Sequence, residues 1–312
     1  MCMEATLLKK INFTPFTLQD KALYEQYLAE EKGRGCEFSF ANLYLWGRQR
    51  FAVQNGHIVL FSQFDRRSVY PYPLGTGDKR PVLDAIIADA RERDIPCRIT
   101  GLTGEARSTL ETLYPGRFRF HADEGSFDYV YDINDLADLK GKKYHAKRNH
   151  LNRFAEAFPA HTTEELCEDN LPAVRQMLRE WYETRLEESP YVDYHMEAAA
   201  LEKALRDHKA LELEGLVLKN GDEVLAFTLA SRLSADTFDV HFEKARTDVQ
   251  GAYAAINRAL ACHIRQKYPE VRYLDREEDM GLEGLRRAKQ SYYPHHQVEK
   301  CWACLLEDGY DY

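Results

Sequence analysis

At 312 residues, with 44% hydrophobic and 30% charged side chains, the chain has the composition of a globular protein long enough for two domains. A formal net charge of -9 argues against wrapping duplex nucleic acid, although a local basic patch can still grip a tRNA 3′-end or a nucleotide. No stretch approaches about 18 consecutive apolar residues, the first residues carry no signal-like apolar core, and seven scattered cysteines suit a reducing compartment, so a cytoplasmic protein without a transmembrane segment is expected.

Taken in order, Thr17-Leu18-Gln19-Asp20 reads as a helix start that places Leu18, Tyr24, Tyr27 and Leu28 near one side, with Gly33-Arg34-Gly35 ending the helix. Residues 38–46 are apolar enough to be core. Asn55-Gly56 between two apolar runs is a hairpin signal. A strand at 68–72, a helix over 80–93, a strand at 97–102, a helix over 105–114 and a strand at 127–131 close the first half. The second half repeats that order. Asn220-Gly221 marks another hairpin, and 237–243 alternates, with Phe238, Val240 and Phe242 on one side and Asp239, His241 and Glu243 on the other, where they are expected to face water. A helix over 251–267 has Ala252, Ile256, Leu260 and Ile264 in one row; a strand at 271–274, a helix over 282–292 and a strand at 298–306 follow. The repeat of element order predicts an α/β (mixed α+β sheet) protein of two tandem units, 1–134 and 135–312.

At the junction lies a cationic run, Lys140, Lys142, Lys143, Lys147, Arg148 and Arg153, with no acid between Asp138 and Glu156. In a helix, Tyr144, Leu151, Phe154 and Phe158 form one stripe, and Lys147 and Arg148 flank it. That position suits a fixed pair for phosphate or carboxylate; the alternative is a solvated face whose stems cover apolar surface. Cys301 and Cys304 sit two apart in a strand-like run with no second pair at matching spacing, and neither His295-His296 nor His145 and His150 show zinc-site spacing, so no metal is expected.

Residues 142–154 (KKYHAKRNHLNRF), 251–258 (GAYAAINR) and 275–294 (DREEDMGLEGLRRAKQSYYP), with 37–46 (EFSFANLYLW), together resemble a bacterial family similar to the C-terminal catalytic domain of phosphatidylglycerol lysyltransferase. The resemblance spans essentially the whole chain. It implies two tandem GNAT-like acyltransferase domains, related to the Fem aminoacyltransferases, and a reaction that moves an acyl or aminoacyl group from an anionic donor, acyl-CoA or aminoacyl-tRNA, to an amine or hydroxyl. No tightly bound cofactor is implied. Around Gly251, Asp248 and Tyr253 stand where simple GNAT enzymes carry Gln or Arg and a small residue for acyl-CoA.

Acyl transfer needs a seat for the donor's anion, a base and an acid. For the seat the sequence offers Lys147, Arg148 and Asn149, together with the helix start at Gly251 and its neighbours Tyr253 and Asn257; Gly251 serves equally as a helix cap and the other two as packing. Glu243 is the candidate base. Glu277, among Asp275, Glu278 and Asp279 after a strand end, suits a substrate amine, although Arg276, Arg286, Arg287 and Lys289 offer those carboxylates structural ion pairs. By the GNAT resemblance Tyr292 is the candidate acid. The rival reading is a catalytically silent module of the same fold that binds a phosphorylated metabolite or a protein partner.

Overall fold

The computed structural model describes residues 10–31, 35–64, 67–188 and 194–306. The expected helix end at Gly33-Arg34 lies outside them. In chain order the elements are β1 (Thr14–Pro15), α1 (Lys21–Ala29), α2 (Phe40–Trp46), β2 (Gln49–Gln54), β3 (His57–Phe64), β4 (Arg67–Pro71), α3 (Arg80–Glu92), β5 (Arg98–Leu102), α4 (Gly104–Leu113) and β6 (Phe118–Ala122). Then come β7 (Asp128–Asp132), α5 (Ile133–Asp138), α6 (His145–Ala157), β8 (His161–Glu165), α7 (Leu171–Glu188), α8 (His195–Asp207), β9 (Glu214–Asn220), β10 (Glu223–Arg232) and β11 (Thr237–Ala245). The chain finishes with α9 (Ala252–Lys267), β12 (Tyr273–Asp275), α10 (Glu283–Gln290), β13 (His296–Val298) and β14 (Cys301–Leu305). None of the described helices is long and apolar enough to cross a membrane.

These elements make two seven-stranded mixed sheets, β1-β2-β3-β4-β5-β14-β6 and β13-β7-β12-β11-β10-β9-β8. The repeated element order recurs in both: an antiparallel hairpin, a third strand, a helix, and a fourth strand parallel to the third, β4 with β5 and β11 with β12. Both hairpin turns carry positive φ, at Asn55 (50°) and Gly56 (73°) in the first and at Gly221 (62°) in the second, the region that a tight two-residue turn requires.

The division of the chain differs from the expected 1–134 and 135–312. One compact unit comprises the residues up to Phe127 together with those from Val298 onward, and the other Asp128–Gln297. The cause is strand placement. β7, read as the closing strand of the first half, pairs with β12 in the second sheet, and β14 lies between β5 and β6 in the first. A strand's pattern says that it is buried on both sides, and nothing in it says which sheet accepts it. The single strand expected over 298–306 is also two, β13 and β14, one in each sheet.

Each unit has its own core. In the first, Val82, Leu83 and Ile86 of α3 and Leu110 of α4 pack with Ile99 and Ala303. In the second, the predicted row Ala252, Ile256, Leu260 and Ile264 on α9 is fully buried against Tyr131, Leu225, Phe238 and Leu274. α7 and α8, which the hydrophobic pattern did not mark, add Val174, Leu201 and Leu205 to the buried set.

Candidate active site

The second unit holds the candidate site, and α6 supplies its first residue. The predicted apolar stripe is real: Tyr144 and Phe154 are fully buried, and Leu151 and Phe158 partly so. The cationic run separates into different roles. Lys140 and Lys143 pair with Asp138 at 2.8 Å and Asp135 at 3.0 Å, just upstream. Arg148 uses its Nη1 to donate to the backbone carbonyls of Leu139 and Gly141, both at positive φ (48° and 88°) where the chain reverses before α6. Asn149 is exposed, its amide 3.4 Å from the His145 ring. Only Lys147 reaches inward. Arg148 thus ties a strained turn, and Arg148→Ala is expected to cost about 1.5–3 kcal/mol, the value of hydrogen bonds from a charged donor, read as a lowered urea midpoint.

Lys147 Nζ donates to Ser291 Oγ at 2.7 Å and stands 3.6 Å from the centroid of the Tyr292 ring. The guanidinium of Arg276 lies 5.0 Å from the same ring and 5.7 Å from that of Tyr131. Arg276 Nη2 donates to Glu243 Oε1 at 2.9 Å, and Asn257 Nδ2 donates to Glu243 Oε2 at 3.2 Å. Glu243 is therefore held on both oxygens in a pocket where its side chain is 10% exposed. Two buried polar atoms beside it, Arg276 Nη1 and Asn257 Oδ1, have no hydrogen-bond partner among the described residues. Buried donors and acceptors are almost always satisfied, so two orphans a bond away from one carboxylate mark a place for a further group.

The charges shift one another. Burial, and after it the nearby Arg276, pulls the Lys147 ammonium down to a pKa of about 8, against the pull of Glu243. Burial pushes the Tyr292 phenol up to about 12; Arg276 opposes the rise and Glu243 adds to it. Burial works against the charge of Arg276, yet Glu243, Tyr131 and Tyr292 together outweigh it and the guanidinium pKa is raised.

Four expected site residues thus converge: Lys147, Glu243, Asn257 and Tyr292. Others do not. Gly251, at φ 88°, starts α9, but the space that its absent side chain leaves is taken by α6, since a Cβ there would sit 2.5 Å from the His150 carbonyl oxygen and 3.0 Å from Phe154 Cβ. The close approach that Gly251 permits here is by the backbone of α6. Tyr253, in the first turn of α9, is 37% exposed, yet burial pushes its phenol up and Glu243 adds to the rise, so its hydroxyl is within electrostatic reach of the site. Glu277 turns to His241, its Oε1 3.6 Å from Nδ1, rather than to the Glu243 pair. Its neighbours are structural: Asp275 accepts from the Glu277 N–H at 2.8 Å, and Asp279 accepts from Tyr129 and from Arg286 Nε, both at 2.7 Å. The Arg286 hydrogen bond, opposed by burial, holds the Asp279 carboxyl down to about 2. The polar side of β11 does not face water as expected: Asp239 is fully buried and His241 is 8% exposed, with Glu277 of the loop after β12 3.6 Å from the ring, and a register shift between Val240 and Phe242 interrupts the alternation. Arg276 and Ser291 were missed as site residues. The position of Arg276 directly after β12, at the end of a parallel strand, is the signal that points to it.

Two mixed α/β units in tandem, the second carrying a cation pair beside a buried carboxylate, define the class: a tandem GNAT-like fold. Residues 29–304 match the family described as phosphatidylglycerol lysyltransferase, C-terminal, and the chain belongs to that family. A conserved protein of unknown function from Bacteroides thetaiotaomicron is 36% identical, with a TM-score of 0.89 over 95% of this chain and 99% of that one. L-PGS from Bacillus licheniformis is 17% identical, with a TM-score of 0.67 over 94% of this chain and 93% of that one. FemX shares the fold at 11% identity and a TM-score of 0.59, over 95% of this chain and 98% of that one. A search of curated proteins returns no match.

Proposed function

We propose that the chain transfers an aminoacyl group from aminoacyl-tRNA to an amine or hydroxyl, with the donor's anion seated between Lys147 and Arg276. The observation that carries this reading is the buried, unpartnered Nη1 of Arg276 beside the half-buried Lys147. A phosphate or carboxylate there accepts from the Arg fork and the Lys point charge together. As it takes the guanidinium, it weakens the hold of Arg276 on Glu243 and leaves that carboxylate free to accept from the nucleophile. Glu243 then removes the proton of the attacking amine or hydroxyl, and the nucleophile adds to the donor's carbonyl carbon. Collapse of the tetrahedral adduct expels the donor oxygen, which takes its proton from Tyr292. A phenol with a pKa of about 12 is fully protonated at neutral pH and suits an alkoxide leaving group. A coenzyme A thiolate has less need of so weak an acid, which favours tRNA over acyl-CoA as donor.

Lys147→Ala is expected to weaken binding of aminoacyl-tRNA at least tenfold in fluorescence anisotropy, while Arg148→Ala leaves it nearly unchanged once stability is matched. In the parent, affinity falls as pH rises through about 8, because Lys147 is charged below that value and neutral above it; Lys147→Ala flattens the profile. Parent-like binding of both donors by Lys147→Ala refutes the reading. One observation favours the silent binding module instead: Glu243 is already neutralised by Arg276 and held by Asn257. A thermal-shift screen separates the two. Stabilisation by aminoacyl-adenylate analogues or coenzyme A supports a transferase, and stabilisation by unrelated anions alone supports the module.

A further inference from the structure

Next to the site, three adjacent strands of the second sheet bring together a group of side chains that the transfer reaction does not use. Asp239 and His241 lie two apart on β11, so their side chains leave the same face. β12 runs parallel beside β11 with Asp239 opposite Asp275, and the turn that follows carries Glu277, in the left-handed region at φ 58°, back over that face. On the other flank Ser231 of β10 pairs with Asp239. His241 Nδ1 is 3.4 Å from Asp239 Oδ2 and 3.6 Å from Glu277 Oε1, and the three potential ligand atoms all lie within 4.8 Å of one another. The side chains of Asp239 and His241 are fully buried and that of Glu277 is 26% exposed.

Neither separation is that of a good hydrogen bond, which falls at about 2.7–3.2 Å. Both are close to what a shared ion produces: two ligands about 2.05 Å from a tetrahedral zinc sit about 3.3 Å apart. The far side of the ring is built to match. His241 Nε2 is 2.7 Å from Ser231 Oγ; with the hydroxyl accepting, Nε2 carries the proton and the Nδ1 lone pair points at the two carboxylates. That is how a ligating histidine is oriented, by a hydrogen bond at its other nitrogen. A cation placed between the ring lone pair and the two carboxylates is attracted by all three. Imidazole with two carboxylates selects a borderline transition metal over magnesium or calcium, which prefer oxygen alone. We propose that Asp239, His241 and Glu277 form a three-ligand binding site for a divalent transition metal ion, zinc foremost, with Ser231 orienting the ring and a fourth position open on the Glu277 side. The proposal departs from the expectation of no metal, which was drawn from other histidines. It also gives Glu277 a ligand's role in place of receiving an amine.

The test does not depend on activity. Parent protein stripped with a chelator is titrated with zinc and, separately, with manganese and magnesium by calorimetry, and its thermal midpoint is followed. The expected result is one zinc per chain, little magnesium, and a midpoint raised by zinc. His241→Ala abolishes binding, Glu277→Gln weakens it at least tenfold, and Ser231→Ala weakens it about 10- to 100-fold, the usual effect of losing an orienting partner. Should His241→Ala fail to fold by circular dichroism, Glu277→Gln decides, since that side chain is on the open side. No stoichiometric zinc or manganese on the parent, or parent-like binding by Glu277→Gln and Ser231→Ala, overturns the site. An uncharged ring donating to one carboxylate, or an imidazolium bridging both, accounts for such a result.

Discussion

Glu243→Gln is expected to lower the turnover of aminoacyl transfer about 10²- to 10⁴-fold, the range spanned by a positioned general base, while binding of the anionic donor stays the same or tightens. The two effects part because Glu243 does two things. It takes the proton of the nucleophile, and it also competes with the donor's anion for Arg276, from which it accepts at 2.9 Å. The amide keeps the shape and still accepts from Arg276, while the Asn257 side chain turns over to offer its Oδ1, without a partner among the described residues, to the new N–H in place of the Nδ2 donation that Oε2 accepted. With that turn the pocket keeps its hydrogen bonds and loses its charge. The buried guanidinium then has no counter-charge until the donor arrives, which costs stability in the free protein, up to the roughly 3–5 kcal/mol seen when one partner of a buried ion pair is removed, and is regained on binding. Turnover in a single-turnover assay and affinity by anisotropy are to be measured on the same preparation. A variant whose turnover stays within tenfold of the parent removes Glu243 from the base role, and one that binds donor much more weakly makes the carboxylate a structural element of the seat.

Gly251→Ala carries the largest expected effect on stability, about 2–5 kcal/mol, measured as the change in unfolding free energy by urea. An L side chain in the left-handed region costs about 1–2 kcal/mol, and forcing a methyl into a packed contact adds about 1–3 kcal/mol. Both apply at once, since φ is 88° and the nearest atom to the new Cβ is a backbone carbonyl oxygen of α6 at 2.5 Å, which is not free to move aside as a flexible side chain is. The alternative, a glycine kept open for donor phosphate, makes the opposite forecast of near-parent stability with lost binding. A loss of stability below about 1 kcal/mol decides for the ligand.

Much of the architecture is legible in the residues because local patterns carry it. Asn55-Gly56 and Asn220-Gly221 announce two hairpins, the row from Ala252 to Ile264 announces a buried helix face, and the motifs around residues 142–154, 251–258 and 275–294 announce the family. Lys147 is legible for the same reason: its place on the edge of an apolar stripe predicts half-burial, and the structure leaves it half-buried. Arg148 has an equivalent place in the pattern and a different fate, because the carbonyls of Leu139 and Gly141 are presented by a turn whose shape no period in the sequence encodes.

What is local or periodic could be read from the residues alone: two copies of one element order, a helix with an inward lysine, a tyrosine after the last helix, and membership of the phosphatidylglycerol lysyltransferase C-terminal family. Which sheet accepts β7 and β14, the joining of Arg276 rather than Arg148 to Lys147, and the meeting of Asp239, His241 and Glu277 became visible in the folded chain. Strand order and side-chain meetings across dozens of residues depend on which surfaces dock, and the hydrophobic effect that drives docking is proportional to buried area and indifferent to direction. The alternation of polar and apolar residues in β11 therefore reads as one dry and one wet face, whereas the folded strand is buried on both, with a register shift between Val240 and Phe242 that the alternation does not announce.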